Sequence, residues 1–293
     1  MDGGGDAEPR TRRRRYDGPA GFIVTSLKLI VDQQSPADAK VALFRSLFRG
    51  REDVYPRRFE SRKTGKSGYA PACANEWVRG VCEKPRVKCA ECPSRQFLSL
   101  NERVIRWHLS GQDDAGKSFV GGVYPMLLDE TCFFLAIDFD KQNWTEDAQA
   151  YLETCRRMSI PAALERSRSG RGGHVWCFFA EAVPAALARR LGSYVLTESM
   201  MRRPDIGFHS YDRFFPSQDT LPRGGFGNLI ALPLQKQARE PASRESCHVR
   251  RIMPLTSACP ETAWTICVSC ARRQTRDRAP VRRHRGASGY RAW

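Results

Sequence analysis

Asp138 and Asp140 stand one residue apart at the end of the apolar run TCFFLAI, residues 131–137. In an extended strand successive side chains alternate faces, so both carboxylates share one face while Phe139 points into the opposite layer. Two acids so placed repel unless a cation neutralises them. Hard divalent ions such as Mg²⁺ or Mn²⁺ take oxygen ligands and leave room for substrate phosphates, the arrangement of two-metal phosphoryl transfer. The plainer alternative is a strand-end turn bearing two solvated acids.

Further on, Ser169-Gly170-Arg171-Gly172-Gly173-His174 forms a second constellation. Its glycines let backbone amides approach an anion closely, and His174 opens the next strand pattern, where its ring can reach the same phosphates. Asp212, in Ser210-Tyr211-Asp212-Arg213, is a third acid, suited to a shared metal site with Arg213 near a triphosphate or template. Asp219 competes for that role. Upstream, Cys73, Cys82, Cys89 and Cys92 have the spacing C-x8-C-x6-C-x2-C, and a CxxC clip with two nearby thiols can complete a tetrahedral Zn²⁺ site. Lys84, Arg86, Lys88 and Arg95 around it would face phosphate. Trp77 is expected to pack over the small metal core rather than stack on a base. Cys132, Cys155 and Cys177 fall in apolar patterns and read as core. Thr64-Gly65-Lys66-Ser67 ends like a phosphate-binding P-loop, but the Gly required at position 60 is Glu, which excludes an ATPase on this motif.

Periodicity indicates which elements must position these groups. Ser35-Pro36 followed by Val41, Leu43, Phe44, Leu47 and Phe48 predicts a capped amphipathic helix with Pro in its first turn, ending at Gly50. Residues 51–93 lack a regular period and read as a small irregular module held by metal. Phe97, Leu100, Val104, Ile105 and Leu109 predict a helix over 97–109. Thr131–Ile137, Ala162–Arg166 and His174–Phe179 read as strands. Helices are expected over Trp144–Met158 and from Pro184 to about Met201. Two apolar segments follow, at Phe214-Phe215 and over Asn228–Leu234.

Of the net charge of +16, residues 21–110 carry +8 and residues 241–293 another +8, whereas residues 111–240 sum to −1. A mildly acidic centre flanked by basic sequence suits a metal-dependent site fed by a neighbour that grips nucleic acid. No run of 18 apolar residues predicts a membrane span, and the Gly- and Arg-rich N-terminus lacks the centre of a signal peptide, so a cytoplasmic location is expected. Eleven cysteines then point to metal ligation or buried thiols rather than disulfides.

The order Asp-x-Asp, Gly-rich turn ending in His, then an apolar-flanked Asp resembles the three motifs of the archaeo-eukaryotic primase superfamily, which includes PrimPol-type enzymes. The strings FFLAIDFD, SRSGRGGHVW, SYDRFFPSQD and GGFGNLIALPLQ, with FRSLFRGREDVYPRR and GKSGYAPACANEW upstream, are similar to the primase domain of TOTE conflict systems from about Ser35 to Arg239. The resemblance implies an α+β fold with an RRM-like mixed sheet. It further implies Asp138, Asp140 and Asp212 as catalytic metal ligands and His174 as a contact to the incoming nucleotide. Ser169, Gly170, Arg171, Gly172, Gly173 and Arg213 would complete the nucleotide site.

The activity implied is a template-directed nucleotidyltransferase working on a DNA or RNA template and primer with nucleoside triphosphates, with a helicase partner. A non-catalytic zinc-dependent nucleic-acid-binding protein and a metal-dependent nuclease are the alternatives. The expected organisation is a disordered basic N-terminus (1–34), a helix plus cysteine-rich zinc module (35–110), the catalytic core (111–240) and an Arg-rich tail (241–293). With its 11 Arg and no Lys, the tail reads as disordered or frame-shifted. A second zinc cluster of Cys247, His248, Cys259, Cys267 and Cys270 is the competing reading there.

Overall fold

The computed structural model describes residues 31–32, 34–61, 63–205, 207–236 and 253–254. Tail residues Cys247, His248, Cys259, Cys267 and Cys270, and residues 1–30, lie outside these.

The apolar run before the two aspartates becomes β4 (Thr131–Asp140), followed by α3 (Trp144–Arg157), β5 (Ala163–Arg166), β6 (Gly172–Pro184), α4 (Ala185–Arg202) and β7 (Tyr211–Phe215). This is a βαββαβ unit, and its strands lie in the order β7-β4-β6-β5, with the short β9 (Met253–Pro254) pairing outside β5. Every pairing in this sheet is antiparallel among the described residues, which corrects the expectation of a mixed sheet. The physical reason is topological: each helix crosses over one strand of the opposite sense, so direct neighbours never run the same way. β9 belongs to the Arg-rich segment that composition sets apart after residue 240.

Alternation along β4 assigns its two faces. Leu135, Ile137 and Phe139 bury against α3 and α4 through Ala148, Tyr151, Cys155, Ala188 and Val195. Phe134 and Ala136, with Trp176 of β6, bury against α1 (Ala37–Leu47) and α2 (Glu102–Ser110) through Phe44, Phe48, Val104 and Ile105. A strand covered on both faces has to be apolar throughout, and β4 is until Asp138. Residues on either side of the expected boundary at 110 therefore share one core. Val31 also packs into it.

Several local expectations shift. Ser35 does not cap α1: its hydroxyl hydrogen bonds to Asp32 Oδ1 at 3.0 Å, and Pro36 occupies the N-cap. The second helix starts at Glu102 rather than 97, because Asn101 caps it by accepting from the Val104 amide at 3.1 Å. Residues before it run extended, with the Leu98 amide donating to Ala72 and the Leu100 amide to Glu52. Within the stretch expected to be irregular, β1 (Pro56–Glu60) and β2 (Ser67–Pro71) form an antiparallel hairpin. The P-loop-like Thr64-Gly65-Lys66-Ser67 runs from its turn into β2, with Gly65 at φ +65°. β3 (Gly122–Val123) and β8 (Ile230–Ala231) pair beside the main sheet. Cys132, Cys155 and Cys177 are buried, as their apolar settings indicate.

Candidate active site

The helices α1 and α2 cover only one end of their face of the sheet. At the other end the same face presents Asp138 and Asp140 of β4 opposite His174 and Gly172 of β6. Directly paired residues point to the same side, so the period-two argument and the strand register agree. His174 Nε2 lies 3.6 Å from Asp138 Oδ1.

Asp212 arrives by a different device. Asp138 pairs with Arg213 but Phe139 with Tyr211, so Asp212 is the extra residue of a β-bulge. A bulge re-aims side chains that regular alternation would send to opposite faces, and here both Asp212 and Arg213 act on Asp138. The bulge is held from α3: buried Asp147 accepts from the Ser210 amide at 3.1 Å and from its hydroxyl at 2.5 Å. The Ser210 carbonyl in turn accepts from the Asp140 amide at 2.7 Å. Asp219, the competing acid, is instead paired with Arg189 of α4.

Burial is the first reason that the Asp138 carboxyl is held above the usual carboxylate range, and the charges of Asp212 and Asp140 add to it. The pKa of His174 is raised as well, but here the charged form is the one favoured. Burial presses the imidazole toward the neutral form, but the Glu165 carboxylate, backed by Asp138 and Asp140, outweighs that and raises its pKa. Glu165, on β5 and buried, accepts from His174 Nδ1 at 2.7 Å and from the Trp176 indole at 3.3 Å. This fixes the ring with Nε2 directed at the acids.

Neither Glu165 nor Asp147 was singled out by sequence. Glu165 sits between Leu164 and Arg166 in a four-residue strand whose residues give no local sign of its burial, and Asp147 reads as an ordinary acid in the first turn of a helix.

The glycines divide by role. A Cβ on Gly172 would meet the Phe139 carbonyl at 2.6 Å, and one on Gly173 the Trp144 ring at 2.4 Å, so both are required by packing. Only Gly170, at φ +75°, belongs to the turn, where the Arg166 guanidinium donates to its carbonyl at 2.9 and 2.7 Å. Ser169 and Arg171 lie in the same turn, the Arg171 amide donating to Ser169 Oγ at 3.3 Å.

All four candidate zinc ligands, Cys73, Cys82, Cys89 and Cys92, line one small cavity, and all are free thiols. The Gln96 amide donates to Cys73 Sγ at 3.3 Å, and the Lys84 ammonium lies within electrostatic reach of Cys89. Such donors suit thiolates, so the donor set fits a zinc ion. Trp77 does not cover this cavity: it is 67% exposed, a correction to the expected packing. Among the described residues no three His, Cys, Asp or Glu side chains are closed to metal-holding positions as they stand. At the acids the reason is local: Asp140 Oδ1 accepts from the Lys141 amide at 2.8 Å, and Asp212 Oδ2 from Arg213 Nε at 2.6 Å. Three acids on one face, one of them raised in part by the charge of the others, remain a donor set that fits hard divalent cations.

Acids from two strands and a histidine from a third thus meet on one face of an antiparallel βαββαβ sheet. The family model for the TOTE conflict system, Archaeo-Eukaryotic Primase domain, matches residues 39–256, and the chain belongs to that family. The family is one of primase/polymerase-type nucleotidyltransferases, and its domains in general bind nucleic acid and nucleoside triphosphates. No curated protein matches the chain. Among the described residues no helix is long and apolar enough to cross a membrane.

Proposed function

We propose that this chain is a template-directed DNA primase/polymerase that extends or starts a strand from nucleoside triphosphates. The observation that carries it is the convergence of Asp138, Asp140, Asp212 and His174 at the uncovered end of one sheet face. The three acids would hold two Mg²⁺ or Mn²⁺ ions. Such ions lower the pKa of an attacking 3′-hydroxyl and neutralise charge on phosphoryl oxygens. Cys73, Cys82, Cys89 and Cys92 would hold a structural Zn²⁺.

The chain's own groups do the positioning. Glu165 keeps the His174 ring oriented and its protonated form favoured, so that Nε2–H is offered to a triphosphate oxygen on the acid side of the sheet. Arg213, beside Asp212 and 55% exposed at its side chain, adds a cation at the mouth of the site. Ser169, Gly170 and Arg171 offer hydroxyl, amide and guanidinium donors from the turn that precedes β6, and Gly172 and Gly173 place His174 opposite Asp138.

The test is incorporation of labelled nucleotide on a primed and an unprimed template with Mg²⁺ or Mn²⁺. Incorporation that Asp138→Ala removes supports the reading. A folded preparation that cleaves strands without consuming triphosphate would make the chain a nuclease instead, and one that does neither yet binds nucleic acid would make it a binding protein.

A further inference from the structure

Outside the active site, the described molecule exposes three aromatic side chains strongly: Phe59 at 48%, Trp77 at 67% and Tyr194 at 55%. Two of them fall in one stretch, residues 57–98, where ten Lys and Arg stand against four Glu. Trp77 carries a second mark. It sits at φ +61°, a left-handed conformation that a bulky side chain adopts only at a cost. That conformation buries nothing, since the indole faces solvent, with the Lys84 ammonium 5.7 Å from its ring centroid. A strained residue holding a large apolar ring in water indicates selection for what the ring touches rather than for the fold.

Phe59 is set in a similar way. It lies on β1 opposite Gly68, whose missing side chain leaves room for the ring. The exposed cations Arg57, Lys63 and Lys66 belong to the same hairpin. The charge of Arg168, at the start of the Gly-rich turn, reaches Tyr69 of β2, so the hairpin stands near the element that precedes His174. In the same stretch as Trp77, Arg79, Lys88 and Arg95 are likewise exposed.

Exposed aromatic rings interleaved with cations match the chemistry of single-stranded nucleic acid: bases stack on the rings, and phosphates pair with the cations. We propose that the surface of residues 57–98 is a grip for single-stranded nucleic acid in which Trp77 and Phe59 are base-stacking platforms. This rests on the reading of the chain as a nucleic-acid polymerase, and assigns to it the surface that holds the unpaired strand. Duplex binding is not the fit, because paired bases offer no free faces to the rings.

The experiment measures binding of a fluorescently labelled 20-nucleotide single strand to the full chain by anisotropy, with the matching duplex as competitor. Trp77→Ala and Phe59→Ala are each expected to weaken single-strand binding between about 5-fold and 150-fold. Trp77→Phe should retain most of it, and circular dichroism should be unchanged because neither ring is buried. Tyr194→Ala, removing the exposed aromatic of α4, serves as the control and should bind as wild type. Unchanged binding in both aromatic variants, an equal loss in Tyr194→Ala, or tighter binding of the duplex overturns the proposal. The outcomes separate from those of the activity assay. Trp77-dependent binding in a chain that incorporates no nucleotide keeps the grip and removes the polymerase reading. Nucleotide incorporation with unweakened binding in both variants removes the grip alone.

Discussion

In the central sheet Cys132, Phe134, Leu135, Ala136, Ile137 and Phe139 are fully buried, whereas from Cys73 to Ser99 not one residue is. The first region has its geometry fixed by packing on both faces, and it can therefore afford a carboxyl such as Asp138 in a site that disfavours its charge. The second has no core to fix it. Its turns are tied by short backbone bonds such as the Cys82 amide to the Val78 carbonyl at 2.8 Å, and by the Lys84–Glu76 pair at 2.7 Å. What such a module lacks in burial it must gain from a cross-link or a bound ion, and the four thiols around one cavity are placed for that. One region tolerates an unfavourably placed carboxyl because packing is plentiful; the other gains little from burial because packing is absent.

The largest effect should come from removing the proposed zinc ion. Structural zinc in small modules contributes about 10 kcal/mol or more, so chelation, or Cys89→Ser, is expected to open residues 73–99 to protease while hydrogen exchange of β4 and β6 stays slow. Equal opening of both regions would break the comparison.

Next is Asp138→Ala, expected to lower nucleotide incorporation at least ~10²-fold, since even partners of metal ligands cost 10–100-fold. Its stability effect runs the opposite way. The folded-state pKa of Asp138 lies above its unfolded value, so the stability it contributes is present below the unfolded pKa and lost as pH rises through the folded one. At neutral pH the ionised carboxylate is a net cost, and Asp138→Asn should raise Tm while activity falls. A lowered Tm at pH 7, by calorimetry, would count against a strained site. In the metal-free protein, Asp212→Asn should shift the Asp138 titration, followed by NMR, downward, because the charge of Asp212 is one of the causes that raise it.

Glu165→Gln is a smaller perturbation. Losing one charge-assisted hydrogen bond should cost about 10-fold to 100-fold in kcat/KM, chiefly through KM for the nucleoside triphosphate. In a His174→Ala background the same change should cost little, and additive losses would show that Glu165 acts apart from His174. Last, Gly173→Ala is expected to destabilise by about 1–3 kcal/mol, because its Cβ would meet the Trp144 ring at 2.4 Å. A Gly173→Ala protein of wild-type Tm would return this glycine to the phosphate-contact role that its sequence context indicates.

Local chemistry determined much of this protein from its sequence. Strand alternation put Asp138 and Asp140 on one face, β4 was legible from its apolar run, and α3, β5 and α4 fell within a residue or so of their periodic patterns. The order of motifs along the chain identified the family that the match over residues 39–256 establishes. Tertiary structure alone decided the rest. The pairing of Asp138 with His174, the bulge that turns Asp212 toward it, and the buried carboxylates Glu165 and Asp147 behind them all depend on register between segments far apart in sequence. Alternation is a property of one strand's own backbone and is written in its residues. Register is set by which distant strands bury their faces together, and no single segment carries that information.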